Sequence, residues 1–381
     1  MKVENPACAK IEEAITAFDL DGKLIDGKPY GNGHINDTFL LTYETKEGSR
    51  RYILQRMNHS IFKKPQQLMD NVVNVTQYLR EVIKKQGGDP DRETLNVVKT
   101  RDGGNYYEDS AHNFWRVFLY IEGTLCFDQA ESARDFYDSA VAFGNFQRML
   151  AGYPAKELHE TIPNFHNTPS RFRDFQKAVQ EDKMGRASVA MQEIAFALER
   201  EKDTSVLLDL LAEGKLSLRV THNDTKLNNI LFDADTKKAL CIIDLDTVMP
   251  GLSHYDFGDS IRTGASTGAE DEKDLSKIEL DLDLFEAFTK GFLEGCGGSL
   301  TEKEIEMLPM GAKLMTYECG IRFLADFLEG DVYFKIHREG HNLDRARTQF
   351  KLVKDMEAKW NQMMAVVDKY KKYVTIQPSA S

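Results

Sequence analysis

Hydrophobic and polar residues follow a strand-like pattern over much of the first third of the chain. Runs at 51–57, 95–99 and 114–120 are rich in β-branched and aromatic residues and predict strands. Apolar residues recur at helical spacing between 68 and 83, and a first helix is expected over 9–18. This region therefore predicts a small sheet with one packed helix.

Beyond residue 123 the apolar spacing becomes mostly helical. Helices are predicted over 130–149, 171–177, 188–199, 204–213, 280–293, 301–328 and 344–373. Three short apolar runs predict strands at 216–220, 229–232 and 239–243. The turn-rich residues between the last two runs indicate a hairpin. A chain of 381 residues exceeds one ordinary compact core, so we expect two lobes, 1–122 and 123–381.

The loop between the first two of these three strands carries the pattern His-x-Asp-x-x-x-x-Asn, formed by His222, Asp224 and Asn229. A second carboxylate, Asp244, follows the next strand, 15 residues beyond Asn229. Phosphoryl transfer needs a carboxylate at the acceptor hydroxyl, and an amide with a second carboxylate can hold Mg²⁺ on the phosphates. The pattern predicts a kinase in which Asp224 is the base and Asn229 and Asp244 bind Mg²⁺. Because flanking strands accompany the motif, we favour this reading over an acidic hairpin without catalysis.

Asp256-Phe257-Gly258 has the form of a metal-binding motif of protein kinases, but it lies 27 residues beyond Asn229. It opens an apparent helix, so we expect Asp256 to cap that helix or to brace the catalytic loop. Asp246 is a further candidate carboxylate for the metal. Only 11 residues separate Asp244 from Asp256, too few for a protein-kinase activation segment. A small acceptor is therefore expected.

Charge and apolar content limit the classes of partner. The chain has 49 Lys and Arg against 61 Asp and Glu, a net charge of −12, and no basic stripe of the kind that binds nucleic acid or an anionic membrane. No apolar run is long enough to span a bilayer, and the first residues lack the apolar core of a signal peptide. The five cysteines form no C-x-x-C pair. We expect a cytoplasmic enzyme with a small-molecule substrate and no obligatory protein partner.

Two segments of the first lobe are candidates for nucleotide binding. Gly31 and Gly33 lie in a turn where the backbone could approach phosphates, although a plain hairpin turn explains the two glycines equally well. Backbone groups from Tyr120 to Glu122, after the last strand of the lobe, are candidates to bind adenine.

The residue that steadies the ATP phosphates stays open. Kinases usually carry a lysine on the third strand for this purpose, but Gln55 occupies that position here. Arg56 is expected to point to the opposite face of the strand. Lys226, two residues after Asp224, could reach the γ-phosphate or remain a solvated loop lysine.

These residues and several longer stretches resemble a known family. The stretches are 30–36, 52–55, 219–231, 242–250, 256–266 and 318–326. They are similar to the aminoglycoside-phosphotransferase and choline-kinase superfamily of small-molecule kinases, and within it more closely to the N-acetylhexosamine 1-kinases. The likeness runs from about residue 30 to 359. It implies an α+β, bilobal, protein-kinase-like fold, with a small nucleotide-binding sheet-plus-helix N-lobe and a large, mostly helical catalytic and sugar-binding C-lobe.

The resemblance also implies a reaction and a set of sugar contacts. The γ-phosphoryl group of ATP would move, with Mg²⁺, to the anomeric hydroxyl of N-acetylglucosamine or N-acetylgalactosamine. Besides Asp224, the sugar contacts would be His34, Asn36, Arg322 and Tyr333. Sugar 1-kinases resemble this chain in having glutamine at the position of Gln55.

Alternatives remain for individual residues and for the whole protein. His34 could cap the glycine turn, and Arg322 could pair with Asp326 at i+4. The acceptor could be another alcohol, such as an aminoglycoside, choline or homoserine, although Arg322 would repel a cation. A non-catalytic nucleotide-binding module is disfavoured because Asp224, Asn229 and Asp244 are all intact.

Overall fold

A computed structural model describes residues 8–31, 35–127, 130 and 132–374. Its strands are β1 (Lys23–Pro29), β2 (Asp37–Thr45), β3 (Gly48–Met57), β4 (Val97–Val98), β5 (Tyr107–Glu108), β6 (Phe114–Leu119), β7 (Thr124–Leu125), β8 (Arg219–Thr221), β9 (Ile230–Asp233), β10 (Ala239–Ile242) and β11 (Met249–Gly251). Its α-helices are α1 (Cys8–Ala17), α2 (Pro65–Lys85), α3 (Pro90–Glu93), α4 (Ala133–Met149), α5 (Thr168–Glu181), α6 (Met191–Leu198), α7 (Val206–Ala212), α8 (Ser253–Gly264), α9 (Leu282–Cys296), α10 (Glu302–Glu306), α11 (Leu308–Glu329), α12 (His341–Ala358) and α13 (Trp360–Val374). Within these residues, no helix is long and apolar enough to cross a membrane.

The chain divides into two compact units, each assembled from segments that are apart in sequence. The first unit takes its described residues from Met1–Leu125, Glu157–Ile162 and Leu231–Met249. The second takes them from Cys126–Lys156, Pro163–Ile230 and Pro250–Ser381. The segment that contains Asp244 therefore belongs to the first unit, whereas Asp224 belongs to the second.

The first unit is built on an antiparallel sheet in the order β1-β2-β3-β6-β4, with β5 also paired to β6. Alternate residues of β2, β3 and β6 are apolar and pack with α1 in one buried cluster, because side chains along a strand alternate between the two faces of a sheet. The sheet residues of this cluster are Leu41, Tyr43, Tyr52, Leu54, Trp115 and Val117. The intervening residues, including the register partners Gln55 and Arg116, consequently lie on the opposite face.

A second, smaller sheet in the order β10-β9-β7 follows the catalytic loop. The pairing of β9 with β10 confirms the predicted hairpin. Its turn closes with a backbone hydrogen bond from Asp233 to the Lys238 carbonyl at 2.9 Å. The Asp233 side chain also accepts from the Thr236 backbone amide at 2.9 Å. The hairpin ends at Ile242, two residues before Asp244.

The second unit is mostly helical, and α11 runs through a large apolar cluster beside α5, α6, α8 and α12. Helices α8 and α11 approach so closely that a Cβ atom at Gly258 would lie 2.3 Å from the Gly311 carbonyl oxygen. Any side chain at Gly258 would separate the two helices. This contact matters for the site because α8 carries Asp256.

The structure corrects two of the predicted helices. The single helix predicted over 344–373 is wrong, since α12 ends at Ala358 and α13 begins at Trp360 after Lys359, whose φ is −96° and ψ is 10°. The helix predicted over 301–328 is likewise α10 followed by α11, with Pro309 in the first turn of α11. Apolar spacing continues across both breaks and hides them. The C-terminal residues 377–381, predicted to be disordered, lie outside the described residues.

Candidate active site

Asp224 lies between β8 and a short 3-10 turn at Leu227–Asn229, and both of its carboxylate oxygens have partners. Lys226 Nζ is 2.7 Å from Oδ1, and Asn229 Nδ2 donates to Oδ2 at 3.2 Å. Asn229 also donates to the Asp224 carbonyl at 2.8 Å. Because its amide nitrogen is used in this way, the amide oxygen of Asn229 remains available to a cation, as in other oxygen-ligand sites.

Lys226 pairs with Asp224 in this structure. Burial acts to lower the pKa of Lys226, but the carboxylates of Asp224 and Asp259 raise it above its ordinary value. Because the side chain is 48% exposed, the neighbouring carboxylates outweigh burial. Lys226 is therefore a cation that compensates the Asp224 carboxylate.

Helix α8 braces the catalytic loop through two buried carboxylates. Asp256 accepts from the backbone amides of His222 at 3.0 Å and Asn223 at 2.7 Å. Asp259 accepts from the backbone amide of Thr225 at 3.1 Å. Asn223 has a φ of 65°, which is uncommon for a residue other than glycine. The carboxylates therefore hold an unusual turn in place. Of the two roles predicted for Asp256, the brace is confirmed and the helix cap is wrong, since the N-cap residue of α8 is Leu252.

Arg322 lies on α11 among three aromatic rings of the second unit. Its guanidinium carbon is 5.4 Å from the ring centre of Phe334, 5.7 Å from that of Tyr333 and 5.9 Å from that of Phe165. These distances are within the range of cation–π attraction. The Tyr333 side chain is 63% exposed, so this group, which we call the Arg322 cluster, opens to solvent at Tyr333.

Asp326 is not the partner of Arg322. Its carboxylate accepts from the backbone amides of Val332 at 2.9 Å, Tyr333 at 2.8 Å and Phe334 at 2.9 Å. The sequence alternative of an Arg322–Asp326 ion pair is therefore wrong, and in the described part of the chain no ion pair involves Arg322. Asp326 instead orders the loop that carries two of the aromatic rings.

A buried Glu318–His166 pair links the Arg322 cluster to the catalytic loop. Glu318 lies four residues before Arg322, and its Oε1 is 2.9 Å from His166 Nδ1. The other nitrogen of His166 is 3.4 Å from the Asn223 carbonyl. Burial acts to raise the pKa of Glu318, but the hydrogen bond and charge of His166, together with Arg322, hold it below its ordinary value. Neither His166 nor Glu318 belongs to a recognisable motif spacing, so sequence analysis did not select them.

A second arginine, Arg171 at the start of α5, belongs to the same region. Its Nε and Nη2 donate to the Phe165 carbonyl, both at 3.3 Å. Burial and the neighbouring charge of Arg322 lower the pKa of Arg171. The charges of Arg171 and Arg322 therefore repel each other. Arg171 was not predicted from the sequence, because a single arginine in a helix carries no motif.

The metal-binding candidate of the first unit, Asp244, lies two residues beyond the end of β10. Its backbone is left-handed, with a φ of 57° and a ψ of 58°, and its side chain is exposed. A 3-10 turn at Leu245–Thr247 comes next. Asn71 of α2 donates to the Val248 carbonyl after this turn, at 3.0 Å. The segment that follows Asp244 is thus anchored.

Asp246, the further candidate carboxylate, is buried and has a partner at each oxygen. Arg116 Nη1 lies 2.5 Å from Oδ1, a charge contact without a hydrogen bond. Asn36 Nδ2 donates to Oδ2 at 2.7 Å. The Asn36 oxygen in turn accepts from the Asn58 backbone amide at 3.0 Å. The structure therefore gives Asp246 a bracing role and holds Asn36, a predicted sugar contact, in one orientation.

Gln55 is joined to the same group of side chains. Its Oε1 accepts from Arg116 Nε at 2.9 Å, and its Nε2 donates to Thr38 Oγ1 at 3.1 Å. Arg56 lies on the other face, where its Nε donates to Asp37 at 2.7 Å; this placement confirms the prediction for Arg56. Arg116 was not selected from the sequence, although it is a single charge in an otherwise apolar strand, which is a usable signal.

The predicted adenine-binding segment is partly engaged within the protein. The Tyr120 amide donates to the Arg51 carbonyl at 3.1 Å, and the Arg51 guanidinium lies 4.1 Å from the Tyr120 ring centre. Arg51 Nε also donates to the Glu122 carboxylate at 2.8 Å. The Glu122 carbonyl accepts from Arg92 at 3.2 Å.

The glycine turn is described only in part. Gly31 has a φ of 76°, a backbone conformation that favours glycine. Gly33 and His34 lie outside the described residues.

The chain matches one protein family in sequence and several solved structures in fold. Residues 26–284 match the phosphotransferase enzyme family. The fold is similar to that of an aminoglycoside phosphotransferase from Alicyclobacillus acidocaldarius subsp. acidocaldarius, with a TM-score of 0.54 and 14% identity over 98% of this chain and 97% of that one. It is also similar to choline kinase from Cryptosporidium parvum Iowa II, with a TM-score of 0.52 and 15% identity over 91% and 92%. A spectinomycin phosphotransferase crystallised with ADP and spectinomycin gives a TM-score of 0.50 and 12% identity over 92% and 94%.

These structural similarities confirm the predicted α+β, bilobal, kinase-like fold class, and at such identities they show the fold alone. The family match extends over more than half of the chain. The chain therefore belongs to the phosphotransferase enzyme family.

Proposed function

We propose that this phosphotransferase transfers the γ-phosphoryl group of ATP to O1 of N-acetylglucosamine or N-acetylgalactosamine, giving the N-acetylhexosamine 1-phosphate. Family membership supports the reaction type, and the fold relative crystallised with ADP supports a nucleotide donor. The proposal for the acceptor rests on one observation, the Arg322 cluster. The sequence resemblance to N-acetylhexosamine 1-kinases supports the same acceptor.

The charge of the Arg322 cluster favours a neutral acceptor that is rich in oxygen atoms. A guanidinium group donates hydrogen bonds and accepts none, so Arg322 matches sugar hydroxyls and an acetamido carbonyl. Two like charges 4 Å apart repel by about 4 kcal/mol near a protein surface. Arg322 and Arg171 would therefore disfavour a polyamine-like or quaternary ammonium acceptor. Glu318 offsets part of this repulsion, but its carboxylate is already paired with His166.

Asp224 is proposed to orient the anomeric hydroxyl and to accept its proton. An anomeric hydroxyl is more acidic than an ordinary alcohol, so a carboxylate at fixed geometry is an adequate base. The amides held by Asp256 and Asp259 fix the loop on either side of Asp224. Lys226 compensates the carboxylate charge before the acceptor binds.

Asn229 and Asp244 are the proposed Mg²⁺ ligands, and their oxygen atoms suit this hard cation. Bound Mg²⁺ would neutralise charge on the nucleotide phosphates during transfer. Within the residues that the structure describes, no group of three or more His, Cys, Asp or Glu side chains forms a ready metal site. The phosphate oxygens of the nucleotide would accordingly complete the coordination, as Mg²⁺ commonly requires.

The remaining assignments follow the same proposal. Gly31, Gly33, Gln55, Tyr120 and Glu122 would contact the nucleotide. His34, Asn36, Arg322 and Tyr333 would contact the sugar, and Lys226 would approach the γ-phosphate once the nucleotide is bound.

The deciding experiment measures Mg²⁺-dependent ADP release with N-acetylglucosamine, N-acetylgalactosamine, glucose, galactose, kanamycin, choline and homoserine. We expect turnover with the N-acetylhexosamines, with the 1-phosphate as product, and its loss in Asp224→Asn. The matched control is Asp138→Asn, which changes a surface aspartate paired with Arg134 and should leave turnover unchanged.

The other outcomes separate the alternatives. Turnover with homoserine alone would indicate that Arg322 and Arg171 bind the carboxylate of homoserine, and it would refute the assignment of a sugar acceptor. Turnover with kanamycin or choline would refute the electrostatic argument. Nucleotide binding without turnover of any acceptor would favour a non-catalytic module.

A further inference from the structure

The first unit contains a continuous chain of polar side chains, which is buried at Arg116 and Asp246 and partly buried at its other members. It runs from Thr38 through Gln55 and Arg116 to Asp246 and Asn36, with successive contacts of 3.1, 2.9, 2.5 and 2.7 Å. The side chain of Arg116 is 2% exposed and that of Asp246 is 4% exposed. Such burial of a charged pair is uncommon, because desolvation offsets much of the attraction between the two charges.

The position of Arg116 is set by the strand register. Gln55 and Arg116 are direct partners across β3 and β6, so an arginine side chain stands beside the strand position where kinases usually carry a lysine. The guanidinium group can serve two partners at once, with Nε toward Gln55 and Nη1 toward Asp246. A lysine at Gln55 would place its ammonium group beside the buried Arg116 guanidinium.

Asp246 connects this chain of contacts to Asp244. It lies in the 3-10 turn that follows Asp244, and its own carbonyl accepts from Thr161 Oγ1 at 3.2 Å. The buried Asp246 carboxylate therefore fixes the turn, whereas Asp244, two residues earlier, is exposed. Any change that releases Asp246 would also release the backbone of Asp244 and the amide of Asn36.

We propose that Arg116 is a positioning residue that holds Asp246, and through it sets the orientation of Asp244 for the metal and of Asn36 for the acceptor. This inference rests on the proposed function in its assignments of Asp244 as a Mg²⁺ ligand and of Asn36 as an acceptor contact. The usual strand lysine position is occupied by Gln55. Arg116, beside it on β6, would act without contacting the nucleotide, since it is buried and its Nε and Nη1 both have protein partners.

The test measures the affinity for the fluorescent nucleotide mant-ADP at increasing Mg²⁺ concentrations. Its readout is the Mg²⁺ concentration that gives half of the maximal increase in affinity. Residues that support metal ligands typically change metal affinity by about 10- to 100-fold when they are removed. We expect Arg116→Met to raise the half-maximal Mg²⁺ concentration by about that factor. We expect Arg116→Lys, which keeps the charge on Asp246 but loses the contact with Gln55, to raise it by only a few-fold.

A structural role is separated from a positioning role by the double variant Arg116→Met, Asp246→Leu. Replacing both members of a buried ion pair with apolar residues often restores stability, so its Tm should return toward that of the wild type while Mg²⁺ affinity stays low. Arg200→Met is the matched control, because it removes a two-bond pair with Glu357 at a position outside the site. It should lower Tm without changing the Mg²⁺ dependence.

Two results would overturn the inference. One is an Arg116→Met variant with a lower Tm and an unchanged Mg²⁺ half-point. The other is a double variant that recovers Mg²⁺ affinity together with Tm. The binding assay uses no acceptor, so a wild-type protein that fails to phosphorylate any N-acetylhexosamine would refute the proposed function while this readout still decides the role of Arg116.

Discussion

The brace at Asp256 gives a prediction whose size can be worked out from the structure. Its carboxylate is fully buried and accepts three hydrogen bonds, from the His222 and Asn223 amides and from Gln147 Nε2 at 2.7 Å. In Asp256→Asn, one oxygen becomes a donor that faces another donor. A hydrogen bond to a charged group contributes about 1.5–3 kcal/mol, and an unsatisfied buried amide costs about 1–3 kcal/mol.

The expected loss of unfolding free energy in Asp256→Asn lies at the lower end of the range that these two contributions give together, about 3 kcal/mol. The reason is that burial raises the pKa of Asp256, although His222 and the backbone amides act against it. In the native protein, burial therefore already offsets part of the stabilisation that the hydrogen bonds to the charged Asp256 carboxylate provide. Urea unfolding monitored by circular dichroism would measure the change.

Activity should fall further than stability explains. The two braced amides immediately precede Asp224, and a misplacement of about 1 Å at a reacting group can reduce the rate about 100-fold. We expect kcat of the folded Asp256→Asn protein to decrease by about that factor at saturating ATP and acceptor.

Asp281→Asn is the matched control, because Asp281 accepts from one backbone amide, that of Leu284, at the start of α9. A substitution at such a cap should cost about 1 kcal/mol or less and leave kcat unchanged. The reasoning is refuted if Asp256→Asn loses stability as expected but retains the wild-type kcat, since the loop would then not depend on its brace.

Two further predictions concern the acceptor and the pH dependence of stability. Arg322→Met should raise the KM for the acceptor by about 10- to 100-fold, because one hydrogen bond to a charged group is lost. The KM for ATP should not change, and equal changes in both KM values would contradict the assignment. Burial lowers the pKa of His254 to about 4 from 6.5, so between these values the unfolded chain binds more protons and stability falls as the pH is lowered, by up to about 1.4 kcal/mol per pH unit. Urea unfolding at pH 7 and pH 5 should show a smaller decrease for His254→Gln than for the wild type, and equal decreases would refute the role of His254.

Features that depend on residues close together in the chain could be predicted from the sequence alone. The catalytic loop was recognisable because Asp224 and Asn229 are separated by a fixed spacing, and the hairpin before Asp244 follows from alternation and a polar turn. The brace at Asp256 was also accessible, since its place at the start of a helix indicated a structural role. The breaks at Met307 and Lys359 were missed because local spacing does not register a change of helix direction.

Tertiary structure decided which distant residues act together. Arg116 and Asp246 are joined across 130 positions, and His166 and Glu318 across 152; neither pair has a sequence spacing that reveals it. Asp326 looked like a partner for Arg322 because i and i+4 residues share a helix face, yet it binds three backbone amides of the following loop instead. Buried polar groups must find partners wherever the folded chain provides them, and that provision depends on packing rather than on distance along the sequence.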